Sequence, residues 1–209
     1  MLRQSQSPPP PPAKPEASLK VISGGMFSGK TEMLIQQVRR FKFSPKSIEV
    51  LILKPRRDTR SDGVLSRNTL SESAVAIDET ISLMRLLDFD SETRVRLERA
   101  DVVAIDEAQF FSGLVAFCKQ LVYVHHKHVI VAGLTLNSKA ESWGEVSQLI
   151  PHAHVHMPLT AVCRRCGRES AIYSHCNVHK TENILIGDSE YEALCGHCYV
   201  EAISDATFF

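Results

Sequence analysis

Net charge is the first thing this 209-residue sequence lacks: twenty-four lysines and arginines face twenty-four aspartates and glutamates. A balanced chain makes no bulk positive field, so nucleic acid is not an expected partner. Long apolar runs are missing too; none approaches the roughly 18 to 20 residues that cross a bilayer, and the N-terminus lacks the apolar core of a secretory signal. The expectation is a cytoplasmic protein with no membrane partner. A disulfide framework is not expected either: six cysteines in an intracellular chain of this size argue for metal or free thiols first, because that compartment keeps thiols reduced. What is present is ordinary globular material, 44% hydrophobic and 23% charged, which excludes wholesale disorder and leaves room for one sizeable core.

The organisation follows from texture. Residues 1–18 hold Pro8 to Pro12 and Pro15 and almost nothing apolar; they read as a disordered or polyproline II tail, or as a docking site for a proline-recognition module. From Lys20 short β-like runs alternate with longer amphipathic ones, the pattern of an α/β domain with a parallel sheet flanked by helices, expected over residues 19–158. "LKVIS", "IEVLILK", "ADVVAIDE" and "KHVIVAGL" read as strands; "SLMRLLDF" and "GLVAFCKQLVYV" read as helices. In "TEMLIQQVRRF" residues Met33, Leu34, Ile35, Val38 and Phe41 share one broad helical face. From Leu159 short segments punctuated by paired cysteines begin a small second lobe, expected over 159–204.

The first strand runs into "SGGMFSGKTEML". Gly24, four intervening residues and Gly29-Lys30-Thr31 fit the phosphate-loop pattern, between an apolar strand and an amphipathic helix. Gly24, Gly25, Met26, Phe27, Ser28 and Gly29 would aim backbone N–H groups at phosphate oxygens, and the helix adds its positive end. Lys30 would contact the β- and γ-phosphates of ATP, and Thr31 would take a place on Mg²⁺. "VVAIDEAQFF" delivers Asp106 and Glu107 to the end of a strand, where open parallel sheets bind ligands. Asp106 would hold the Mg²⁺ shell through water, and Glu107 is the candidate general base. At this point water and an alcohol are both open as acceptors.

Cys163-x-x-Cys166 and Cys195-x-x-Cys198 carry the pair spacing of zinc ribbons, in which Zn²⁺ takes four thiolates. The metal would then pin the base of the long loop Gly167 to Leu194 and supply folding energy that a small lobe cannot bury for itself. A redox dithiol is the rival reading. Cys118 and Cys176 fall outside the pattern, Cys118 reading as a small core residue, and His175, His179 and His197 read as polar surface before ligands.

Together "GGMFSGKTEML", "LKPRRDTR", "AIDEAQFF", "LTAVCRRCG" and "GDSEYEALCGHC", in this order and spacing from about Lys20 to Cys198, resemble the thymidine kinase family of the cytosolic, zinc-containing type. That resemblance implies transfer of the γ-phosphate of ATP to the 5′-hydroxyl of thymidine or deoxyuridine, in nucleotide salvage, by a homotetramer under feedback control by dTTP. It implies Asp58 near the metal and Arg60 near the phosphates, with Glu107 as base. It makes the loop between the cysteine pairs a lasso over the nucleoside, with Gly187 and Tyr191 on it. Phe110 or Phe111 would pack near the base, and Ser174 would lie beside the thymine methyl.

Three departures from the family pattern stand out. "LTLNS", Leu134 to Ser138, stands where the family has an acid and an aromatic that lies against the base; losing that ring removes on the order of 1 kcal/mol of stacking, with Trp143 a candidate to compensate. Leu65 and Ser66 stand where a His-Asp pair is common. Gly25 replaces a usual proline, which predicts a less rigid phosphate loop. A second reading is therefore a catalytically impaired, nucleotide-binding homologue that assembles with an active kinase, and a third is a zinc-ribbon NTPase acting on DNA, against which the neutral charge weighs.

Overall fold

The computed structural model describes residues 16–58, 63–65, 71–88, 92–177 and 190–206. The proline-rich tail, Arg60, Ser66, His179 and Gly187 lie outside the described residues, as does residue range 178–189 of the expected lasso.

Strand β1 (Ser18–Gly24) leads through the phosphate-loop segment into helix α1 (Lys30–Lys42), and β2 (Val50–Pro55) follows. A small antiparallel ribbon, β3 (Gly63–Leu65) with β4 (Ser71–Ser73), precedes β5 (Val75–Ile77). Helices α2 (Arg85–Asp88) and α3 (Glu92–Arg99) lead to β6 (Val102–Ile105), then a 3₁₀ turn at Ala108–Phe110, α4 (Leu114–Lys119) with a π-helical continuation over Gln120–Val124, and β7 (His128–Gly133). After α5 (Val146–Leu149) comes β8 (Val155–Leu159), and the C-terminal part is β9 (Tyr173–Cys176), β10 (Tyr191–Leu194) and α6 (Gly196–Ala206).

The sheet is six-stranded and parallel throughout, in the order β5-β2-β6-β7-β1-β8. Four-residue β6 is buried at every position and β7 at all but its first, as central strands covered on both faces must be. Alternation within each strand therefore feeds two cores. Ile22, Ile52, Ala104 and Ile130 meet Leu34, Ile35 and Val38 of α1 on one face, with Met33 and Phe41 packed beside them. Val21, Leu53, Val103 and Val131 meet Phe117, Leu121 and Leu97 on the other. Each such side chain contributes roughly 1.5–3 kcal/mol by leaving water. Cys118 lies fully buried in the second of these cores, and burial, with the Glu145 carboxylate adding to it, pushes its thiol well above the usual range.

Three elements differ from expectation. The helix expected over "SLMRLLDF" is reduced to Arg85–Asp88, because Leu83 is drawn to the Ser112 carbonyl by its N–H at 3.1 Å. Helix α3 buries only Leu97 and so shows no apolar stripe in the sequence. Strand β8, at the sheet's edge beside β1, is half exposed and contains Pro158, which an edge tolerates.

Candidate active site

The site lies at the C-terminal ends of β1, β6 and β7. Gly29 turns the chain into α1 at φ 81°, and no side chain caps the helix, which leaves its first N–H groups facing the loop. Ser28 Oγ donates to the Gly25 carbonyl at 2.8 Å, and Lys30 Nζ donates to the same oxygen at 2.7 Å, so the lysine arches back over the loop. At Gly24 a Cβ would lie 2.4 Å from the Leu159 carbonyl oxygen, which only glycine avoids. Thr31 Oγ1 donates to Asp106 at 3.1 Å from Oδ2 and 3.3 Å from Oδ1. Asp106 is 2% exposed, and its backbone N–H is held by the Leu53 carbonyl. This hydroxyl and carboxylate are the hard oxygen donors that Mg²⁺ takes, so the residues fit that ion.

Glu107 follows in a left-handed conformation, φ 48°, and its Oε2 accepts from Gln109 Nε2 at 2.7 Å. Asp58 stands on the neighbouring strand's exit, its carbonyl accepting from the buried Lys54 Nζ at 3.0 Å. The two expected phenylalanines part company. Phe111 is 2% exposed and packed in the core with Phe117 and Leu114, so it is not available to a ligand. Phe110 keeps an accessible ring, with Arg57 Cζ 4.8 Å above its centroid and the Trp143 ring edge-on at 5.2 Å. Trp143 thus stands beside the ring expected near the base.

"LTLNS" forms a tight hairpin. Leu136 bridges Ser142, and Asn137 Oδ1 accepts from the N–H groups of Lys139 and Glu141, each at 2.9 Å. The Ser138 carbonyl accepts from the Tyr199 hydroxyl at 3.2 Å, so this position meets the second lobe by its main chain.

In that second lobe β9 and β10 pair antiparallel, Ser174 opposite Ala193 and Tyr191 opposite Cys176. Buried Ser174 does not merely line a pocket: its Oγ accepts the Met26 N–H of the phosphate loop at 2.9 Å. That N–H, expected to point at phosphate, has a protein partner here. Gly25 is the second contact, since a Cβ there would lie 2.8 Å from the Ile172 carbonyl oxygen. Phe27 packs against the small core of the lobe as the third.

The Sγ atoms of Cys163, Cys166, Cys195 and Cys198 all lie within 4.8 Å of one another, with Cys166 and Cys195 3.6 Å apart. A thiolate tetrahedron around Zn²⁺ at about 2.3 Å has edges of about 3.8 Å, so the four sulfurs fit that metal. Burial would raise the Cys163 thiol, but hydrogen bonds from the backbone of Cys195, Cys166 and Arg165 outweigh it and bring it down to about 6. Burial, with hydrogen bonds to the other three sulfurs, pushes Cys198 up to about 12. Among the described residues no histidine joins the cluster: His197 pairs with Glu201 at 3.3 Å, and His175 meets the Tyr199 ring edge-on. Cys176 stays outside it on β9.

Sequence reasoning missed Gln109, which links Glu107 to the Leu134 backbone, and Tyr199, which lies between the cysteine lobe and "LTLNS". Gln109 lies within "AIDEAQFF" and Tyr199 directly follows Cys198, but the pairing partners are distant in sequence.

Comparison with known proteins agrees with this geometry. Residues 17–199 match the family model described as "TK: Thymidine kinase". A thymidine kinase of Bacteroides thetaiotaomicron is 39% identical over 188 residues, covering 88% of this chain and 87% of the relative. A protein of Bos taurus named "Thymidine kinase, cytosolic" is 33% identical over 199 residues, 94% of this chain and 77% of the relative. The protein of the same name from Homo sapiens is 32% identical, covering 94% and 79%.

Proposed function

This chain belongs to the thymidine kinase family, and from that premise we propose that it transfers the γ-phosphoryl group of ATP to the 5′-hydroxyl of thymidine, and of deoxyuridine as well. The observation that carries the proposal is the meeting of phosphate loop, acid pair and cysteine lobe at the C-terminal ends of the strands, with Ser174 bonded to Met26.

In this reading Glu107 accepts the proton of the 5′-hydroxyl as its oxygen attacks the γ-phosphorus and the bond to the bridging oxygen of ADP breaks. Lys30, released from the Gly25 carbonyl, follows the charge on the phosphates. Thr31 and Asp106 would hold Mg²⁺, which neutralises phosphate charge when bound. Asp58 and Arg60 complete the polar surround in this reading. Phe110, with Trp143 at its edge, offers the base an aromatic wall in place of the ring missing from "LTLNS", while Gly187 and Tyr191 belong to the lasso that closes over it.

The four cysteines would hold Zn²⁺, whose contribution would be structural, keeping the lobe ordered while Ser174 and the Ile172 carbonyl meet the phosphate loop. Among the described residues no helix is long and apolar enough to cross a membrane, and the names of the mammalian relatives support a cytosolic setting. The salvage role, the homotetramer and inhibition by dTTP are part of the same proposal.

The test is an ADP-release assay on zinc-loaded protein with Mg-ATP and thymidine, deoxyuridine, deoxycytidine or no nucleoside. Release that requires thymidine and falls about 100-fold or more in Glu107→Gln supports the reading; steady release without nucleoside overturns it.

A further inference from the structure

Glu107 does not hold its carboxylate in place unaided. Its φ of 48° is uncommon for a residue with a side chain, and the carboxylate is gripped at Oε2 by Gln109 Nε2 at 2.7 Å. Gln109 in turn accepts the Leu134 N–H at its Oε1, at 2.9 Å. A backbone N–H can only donate and an amide has one oxygen, so Leu134 dictates which way the amide faces and leaves the NH₂ toward the carboxylate. Gln109 is 4% exposed, so bulk water does not compete for either bond. Two glycines make room for it. A Cβ at Gly133 would lie 3.0 Å from Gln109 Oε1, and one at Gly144, where φ is +62°, would lie 2.6 Å from the Gln109 carbonyl oxygen.

We propose that Gln109 is a positioning residue for the phosphoryl transfer: it holds one carboxylate oxygen of Glu107, presents the other to the acceptor hydroxyl, and ties that carboxylate to the first residue of "LTLNS". The proposal rests on the reading of Glu107 as general base. It ties the carboxylate to the start of the "LTLNS" hairpin, since Leu134 carries the N–H that orients the amide. Near-attack geometry depends on such second contacts, because a carboxylate free to rotate spends less time aimed at the proton it removes.

The experiment compares Gln109→Glu, Gln109→Met and Glu107→Gln with the unaltered protein in the thymidine-dependent assay at about pH 8 and about pH 6, alongside ATP affinity by calorimetry. Gln109→Glu keeps an acceptor for Leu134 but sets a second carboxylate against Glu107. At about pH 8 its kcat should fall on the order of 10- to 100-fold with ATP affinity within about twofold. At the lower pH a proton shared between the two carboxylates would donate as the amide did, so the deficit should narrow several-fold. Gln109→Met loses both bonds, and its deficit should be alike at both pH values. A kcat within about twofold of the unaltered protein in both Gln109 variants, or a Gln109→Glu deficit that ignores pH, overturns the proposal. If Gln109→Met fails to fold, Gln109→Glu decides alone. Full activity in Glu107→Gln would instead overturn the general-base reading, whereas an inactive Glu107→Gln beside fully active Gln109 variants overturns the positioning role only.

Discussion

The sheet and the cysteine lobe are built by different forces. The sheet buries phenylalanine, leucine, isoleucine and valine on both faces. Among the described residues the lobe's core is Ala161, Ala171, Ala193 and Ala202 with three of the four clustered cysteines, Leu194 and Tyr199, and Tyr173 and Phe27 pack against it. Alanines bury little area against the chain entropy of ordering the lobe, so a metal held by the four sulfurs would add stability that the sheet draws from its own core. Yet the lobe with the weaker core is the one that touches the phosphate loop, through Ser174, Ile172 and the contacts of Phe27. Burial and contact are thus divided unevenly: the sheet holds the large apolar side chains, and the cysteine lobe packs against the phosphate-loop segment.

The comparison breaks most sharply on metal removal. Chelation of zinc should unfold residues 190–206 while leaving β6 and β7 protected, a contrast on the order of 10 kcal/mol in apparent binding energy that hydrogen exchange would read segment by segment. Next is Phe117→Ala, which opens a cavity in the sheet core and should cost about 3–5 kcal/mol of global stability by denaturant titration, with zinc content unchanged. Smaller again is Ser174→Ala. It removes the acceptor of the Met26 N–H and should cost about 1–3 kcal/mol, read as weaker ATP binding in calorimetry, with Ser174→Thr restoring most of it. Tyr199→Phe deletes the hydroxyl bond to the Ser138 carbonyl and should cost about 1 kcal/mol.

The smallest expected effect is a pH dependence at the far end of the sheet. Burial, with the nearby charge of Lys20 and then His154 acting against a hydrogen bond to the Glu16 backbone, holds the His128 imidazole below its ordinary value. Its Nδ1 meets Ser18 Oγ at 2.6 Å, and its Nε2 has no partner among the described residues. The fold therefore favours the neutral ring. Its contribution is fully present above about pH 6.5, the unfolded value, and is lost as pH falls through the lower folded value. Urea titrations across that window should show stability falling on acidification, and His128→Asn should flatten the slope.

What could be read in advance divides along the same line. Buried parallel strands are apolar runs, so β1, β2, β6 and β7 were legible, and α1 announced itself by five residues on one face. Helix α3 and strand β8 were not, since one buries a single leucine and the other is an edge with a proline. The meeting of Thr31 with Asp106 was legible because a phosphate-loop pattern and its acid partner obey fixed spacing. Phe110 and Phe111 were not separable, because which ring enters the core depends on the turn that Glu107 starts. Gln109 was invisible for a related reason: its partner Leu134 lies 25 residues on and is met through a backbone N–H, which no residue type advertises. The spacing of the four cysteines foretold that their sulfurs cluster, but not the lobe's contact with the phosphate loop.

The central claim is that sheet and metal lobe make one kinase site with the phosphate loop as their seam. The direct test is thymidine-dependent ADP release by zinc-loaded protein, by the same protein after chelation, and after zinc is restored. The account predicts activity that is lost with the metal and returns with it while the sheet stays folded; full activity in the metal-free protein would contradict it.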